Sequence, residues 1–115
     1  MNKLYILIAL TISFTVSAQI ATTGTSNSGL NASAIGFNTT ASNTVSTAMG
    51  RETLASGVTS TAMGYQTKAI NTAATAMGNN STASGVTSTA MGNNSTASGE
   101  TSIAMGFETE ATHSA

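Results

Sequence analysis

Apolar positions along this chain follow two different rules. Residues 4–16 are densely apolar, with Lys3 ahead of them and the small-residue run Val16-Ser17-Ala18 behind. That order is the architecture of an export signal, so residues 1–18 are expected to be removed and the mature chain to begin at Gln19. The run is short for a membrane span, although the same pattern also suits an uncleaved N-terminal anchor. Beyond it the pattern becomes periodic. Gly36, Gly50, Gly64, Gly78, Gly92 and Gly106 recur every fourteen residues, each preceded by Ala and then Ile or Met. A second alanine keeps the same phase at Ala41, Ala55, Ala69, Ala83, Ala97 and Ala111.

Written out, the unit is Ser-Thr-Ala-Met-Gly-x-x-Thr-x-Ala-Ser-Gly-x-Thr, with its best copy at residues 88–101. Six units fill residues 32–115 without insertion. Residues 19–31 fade from the pattern and read as an irregular lead-in or a degenerate first coil, as terminal repeats of solenoids commonly do. The glycine at position five, and the Gly or Asn at position twelve, mark two bends per unit, because those residues enter left-handed backbone conformations cheaply. Between the bends lie two short segments, such as 88–91 and 95–98, each about four residues and rich in β-branched Thr. A coiled coil is excluded because the units carry no Leu seam and no Glu/Lys flanks. The expected fold is therefore all-β: a parallel β-roll solenoid of fourteen-residue coils, two short strands per coil. Six coils stacked at roughly 4.8 Å give a rod about 29 Å long.

Strand alternation then sorts the side chains. Placing the alanines and the Ser/Thr of position eight inside gives a thin roll, with Ile35, Met49, Met63, Met77, Met91 and Met105 left as a continuous ladder on the surface of one sheet. The opposite phase would seal the thioethers inside and expose Ala. In the first phase the monomer is short of buried area, since Ala and Ser offset little of the ordering cost of about 1.5 kcal/mol per residue. Self-association is then the missing stabiliser, and three rods packing their ladders about a common axis, a homotrimer, would supply it.

The Thr-Ala-Met-Gly-x-x-Thr-x-Ala-Ser-Gly unit resembles the head repeats of YadA-type trimeric autotransporter adhesins over residues 32–115. The resemblance implies a left-handed parallel β-roll, trimerised into a head displayed at the bacterial cell surface beyond the outer membrane. It also implies binding of host matrix proteins or other cell-surface ligands. Met stands where that family usually has Ile or Val, which makes a softer contact surface. No neck motif, heptad stalk or barrel strands follow residue 115, which reads as a truncated product or an excerpt. Similar rolls occur in phage tail fibres and other fibrous proteins.

Composition narrows the chemistry. The 115 residues include no Cys, no Pro and no Trp, and only 6% are charged, with a formal net charge of -1. Without a basic patch, nucleic acid is not an expected partner, and without Cys no disulfide or thiolate metal site can form. No Asp is present and His113 is the one histidine, so neither a catalytic triad nor a nucleophile–base pair can be assembled. An enzyme, a cofactor and a metal site are accordingly not expected, and no membrane span is expected after signal cleavage. Glu108, Glu110 and His113 read as solvated charges. Asn79-Asn80 and Asn93-Asn94, one coil apart, suggest either stacked amides or simple loop solubility.

The function expected from these readings is a non-enzymatic adhesive head module. Its selectivity would be written at the variable outward positions six, seven, nine and eleven, with Phe37, Arg51, Tyr65, Lys68 and Phe107 as candidate ligand-facing residues. Two other readings stay open. Thr47, Thr61, Thr75 and Thr89 form an in-phase row that could match ice or a polysaccharide, and the rod could also be a passive fibre spacer.

Overall fold

The computed structural model describes residues 22–113; the expected export signal lies outside them. The strands in chain order are β1 (Ser26–Asn27), β2 (Ser33–Phe37), β3 (Thr40–Ala41), β4 (Thr47–Arg51), β5 (Leu54–Ala55), β6 (Thr61–Tyr65), β7 (Lys68–Ala69), β8 (Thr75–Asn79), β9 (Thr82–Ala83), β10 (Thr89–Asn93), β11 (Thr96–Ala97), β12 (Ile103–Phe107) and β13 (Glu110–Ala111). Even-numbered strands form one six-stranded sheet and odd-numbered strands a seven-stranded one, with every neighbouring pair parallel. Each residue pairs with its counterpart fourteen positions on: Thr47 with Thr61, Ala48 with Ala62, Met49 with Met63. The sequence period is therefore one turn of a parallel β-solenoid. Residues of the lead-in join the stack, since β1 pairs with β3 and Thr23 bridges to Phe37.

The interior is built from the smallest side chains. Ala48, Ala62, Ala76 and Ala90 from the long strands, and Ala41, Ala55, Ala69, Ala83 and Ala97 from the short ones, are completely buried. Ser and Thr of positions one and eight complete the interior, among them Ser46, Thr53, Ser60 and Thr67. Residues of this size let the two sheets approach closely, so the long side chains of positions two, four and six must lie outside. The hydroxyls inside are mostly tied to backbone: Ser60 Oγ donates to the Gly57 carbonyl at 2.7 Å, and Ser88 Oγ to Gly85 at 2.8 Å.

The bends differ from the expectation. Gly36, Gly50, Gly64, Gly78, Gly92 and Gly106, expected at coil turns, lie within the long strands, with φ between 112° and 130°. For the first five the role is close approach: a methyl group at Gly64 would collide with the carbonyl oxygen of Gly78 in the next coil. The left-handed residues stand two positions further on, at position seven (Asn38, Glu52, Gln66, Asn80, Asn94, Glu108) and position fourteen (Val45, Thr59, Ala73, Thr87, Thr101). The Gly or Asn of position twelve opens the second turn, which closes through Ser46 N–H to the Asn43 carbonyl at 3.1 Å and its equivalents.

Stacking explains this choice of conformation. Strand residues donate their N–H groups to the coil above, as Thr47 does to the Ser60 carbonyl at 2.9 Å. Left-handed residues donate downward: Gln66 to Arg51 at 2.9 Å, Thr59 to Thr44 at 2.9 Å, Ala73 to Val58 at 2.8 Å. A positive φ turns the amide towards the coil below, and the bond gained offsets the steric cost of about 1–2 kcal/mol. Each coil is thus two seven-residue halves of one design: inward Ser, Thr or Ala, outward residue, inward Ala, outward residue, in most coils Gly or Asn, outward residue, left-handed residue. The halves differ in strand length, five residues against two. They differ also in the fourth place, which is Met in most first halves and Ser in most second halves.

Candidate functional site

Three columns of side chains cover the outward face of the long-strand sheet. Position two supplies Ser33, Thr47, Thr61, Thr75, Thr89 and Ile103; position four supplies Ile35 and the methionines; position six supplies Phe37, Arg51, Tyr65, Asn79, Asn93 and Phe107. The central column is the ladder expected from the sequence. Ile35, Met63, Met77 and Met91 are half-buried against their neighbours, while Met49 and Met105 are exposed. No residue interrupts this apolar column from β2 to β12, and it has no covering element among the described residues.

Beside it, position six holds a stacked group. The Arg51 guanidinium lies 5.6 Å from the centre of the Phe37 ring and 5.5 Å from that of Tyr65, so it is sandwiched between the coils below and above. Such contacts contribute about 0.5–1 kcal/mol each at exposed sites. Arg51 Nε also meets Glu52 Oε1 at 3.3 Å, and Gln66 Nε2 donates to Glu52 Oε2 at 2.8 Å. The aromatic–arginine column is therefore fixed laterally as well as along the rod. Further up, the amide of Asn80 donates to Asn94 Oδ1 at 2.8 Å, which realises the stacked-amide reading at position seven.

The five candidate ligand-facing residues are divided by the fold. Phe37, Arg51 and Tyr65 form one cluster, and Phe107 occupies the same column three coils above Tyr65, separated by Asn79 and Asn93. Lys68 lies on the other sheet, exposed in β7, beside the column of Thr40, Leu54, Thr82, Thr96 and Glu110. Four of the five thus border the methionine ladder and one faces away from it. Among the described residues, no group of three or more His and carboxylate side chains gathers in metal-binding geometry.

One surface was not anticipated. The turn of positions twelve to fourteen leads into each long strand on the position-two side, and its apolar residues alternate in place along the rod. Leu30, Val58 and Val86 occupy position thirteen; Val45 and Ala73 occupy position fourteen in the intervening turns, and all five are exposed. The signal was present in the sequence as a twenty-eight-residue alternation of Gly-Leu/Val with Asn-Thr-Val/Ala. A fourteen-residue period averages it away.

Comparison with known proteins bears on most of the repeat region. A family model described as YadA head domain repeat (2 copies) matches residues 28–53, 55–81 and 83–109. No curated protein matches the chain.

Proposed function

Since the chain belongs to the YadA head domain repeat family, we propose that it is the head module of a trimeric surface adhesin, acting by display and binding and not by catalysis. The observation that carries this reading is the apolar column of Ile35, Met49, Met63, Met77, Met91 and Met105 in unbroken register on a sheet whose own interior holds only Ala, Ser and Thr. A roll so thinly cored gains most from covering that column. Three copies about an axis parallel to the rod cover it on every copy at once, because closed symmetry presents the same row each time.

In that assembly the short-strand sheet becomes the outer wall. Its variable residues, Lys68 with Leu54, Ile70 and Glu110, face an extracellular protein or cell-surface ligand. Phe37, Arg51, Tyr65 and Phe107 stand at the rim of the joint, where any ligand contact is shared with the neighbouring copy. The family of the repeats supports display at the cell surface, and the export signal expected at residues 1–18 agrees with it.

Sedimentation equilibrium of the mature chain tests the reading: three chain masses are expected. Met63→Glu with Met77→Glu should reduce the mass to one chain. A folded wild-type monomer at all concentrations would overturn the proposal. The row Thr47, Thr61, Thr75 and Thr89 is in register and outward, as an ice-binding surface requires, but it borders the methionine column and is covered with it. Thermal hysteresis is therefore expected to be absent.

A further inference from the structure

We propose that the copies are joined by two unlike flanks: the Phe37–Arg51–Tyr65 column of one copy packs against the Leu30–Val45–Val58 turn edge of the next. This rests on the threefold reading above and extends it from the ladder to the surfaces on either side.

Threefold association is heterologous, so each copy needs two different patches that fit one another. The methionine column lies at the middle of its sheet, and chain order fixes what flanks it. Each long strand enters from the turn of positions twelve to fourteen, crosses the column, and leaves through position six. One flank of the ladder is therefore the position-two row with the apolar turn edge beyond it, and the other is the aromatic–arginine column. Both are exposed in the single chain: Val45 by 48%, Phe37 by 43%, Val58 and Tyr65 by 37% each.

The two flanks also match level by level. With the symmetry axis along the rod, equivalent strands of the copies lie at one height. At the level of β2 the turn edge offers Leu30 and the opposite flank offers Phe37. At β4 these are Val45 and Arg51, and at β6 Val58 and Tyr65. Higher up, where position six changes to Asn79 and Asn93, the aromatic match ends. The specific joint therefore lies in the first three levels. The sandwich around Arg51 serves this role by holding both rings in one arrangement before association, which lowers the ordering cost of forming the joint.

The test uses the fact that Val58 and Tyr65 sit at opposite ends of one strand. The span from Thr61 to Tyr65 alone is roughly 13 Å, so these side chains cannot meet within a chain. The protein has no cysteine, and Val58→Cys with Tyr65→Cys can be treated with a bis-maleimide shorter than that span. Covalent dimers and trimers on a denaturing gel are expected, with far less from either single variant or from Val86→Cys with Tyr65→Cys. A double-mutant cycle of Val58→Ala and Tyr65→Ala supplies a second readout. The trimer's dissociation midpoint in the double variant should differ from the product of the single effects by about fivefold or more, while Val86→Ala with Tyr65→Ala should be multiplicative. A trimer that shows no preferential cross-link and no coupling would overturn the joint and leave the ladder reading standing. A wild-type monomer would overturn the threefold reading itself.

Discussion

Among the described residues, three interior hydroxyls are left without a partner. Thr39, Thr53 and Thr67 stack in position eight of successive coils, and the Oγ1 of each is buried with no hydrogen bond. Ser81 and Ser95, in the same column, donate to the Gly92 and Gly106 carbonyls at 3.0 and 2.9 Å. The pair of cases makes a prediction with opposite signs. Thr53→Val removes an unsatisfied polar atom while keeping the shape, and should leave stability unchanged or raise it by about 1 kcal/mol; Ser81→Ala should cost about 1 kcal/mol. Denaturant midpoints with unchanged slope would check both. A second residue-scale case is Val45, a β-branched residue at φ 56°. Thr59 and Thr87, in the same row, direct their hydroxyls to the carbonyl of the preceding residue at 2.7 Å, a contact that valine lacks. Val45→Asn should stabilise the isolated roll by about 1 kcal/mol, since Asn enters that conformation at lower cost. It should also weaken the trimer if Val45 lies in the joint. These left-handed positions were not legible in the sequence, where side-chain preference argues against Val and Thr. What selects the conformation is a hydrogen bond to a residue fifteen positions away.

At the level of the strand, alternation was fully legible and strand length was not. The invariance of Ala against the variability of its neighbours favours the Ala face as the inside one over the opposite phase, because only small side chains admit two sheets at close spacing, and the buried alanines bear it out. The sequence predicts a bend at the glycine of position five, which instead lies within a strand: both bends and close approach select glycine, and a single sequence cannot separate them. The two roles make different demands in the last coil. A methyl at Gly64 meets the Gly78 carbonyl, whereas one at Gly106 meets only Thr109 Cγ2, at 3.3 Å. Gly64→Ala should therefore cost more than about 3 kcal/mol, combining collision with backbone strain. Gly106→Ala should cost about 1–3 kcal/mol from its φ of 127° alone. Thermal melts of the two variants would separate close approach from turning. Equal losses would mean that φ alone selects glycine here.

For the whole molecule, the half-coil design separates the instruction for folding from the instruction for assembly. Stability of a solenoid is approximately a sum over units and their interfaces, so removing a whole unit shortens the rod without altering its section. Deleting residues 74–87 joins Ala73, at position fourteen, to Ser88, at position one, and the ladder loses only Met77. The trimer should persist with a melting temperature lower by a few degrees. Deleting residues 81–87 removes half a coil and joins Asn80, at position seven, to Ser88. Ser88 and Ala90 then fall on positions eight and ten, which already take Ser and Ala, and Asn94 falls on position fourteen, where left-handed backbone suits it. The interior is satisfied throughout, so the roll should fold with an unchanged β spectrum. Met91 and Met105, however, move to position eleven on the opposite sheet, where Ile70 shows that a large apolar residue is accommodated. The ladder is cut to Ile35, Met49, Met63 and Met77, and the flanks above the break exchange places between the sheets. Circular dichroism together with sedimentation should therefore find both deletions folded, the fourteen-residue one trimeric and the seven-residue one dissociating at much higher concentration. Equal association of the two would mean that the methionine column does not hold the copies together.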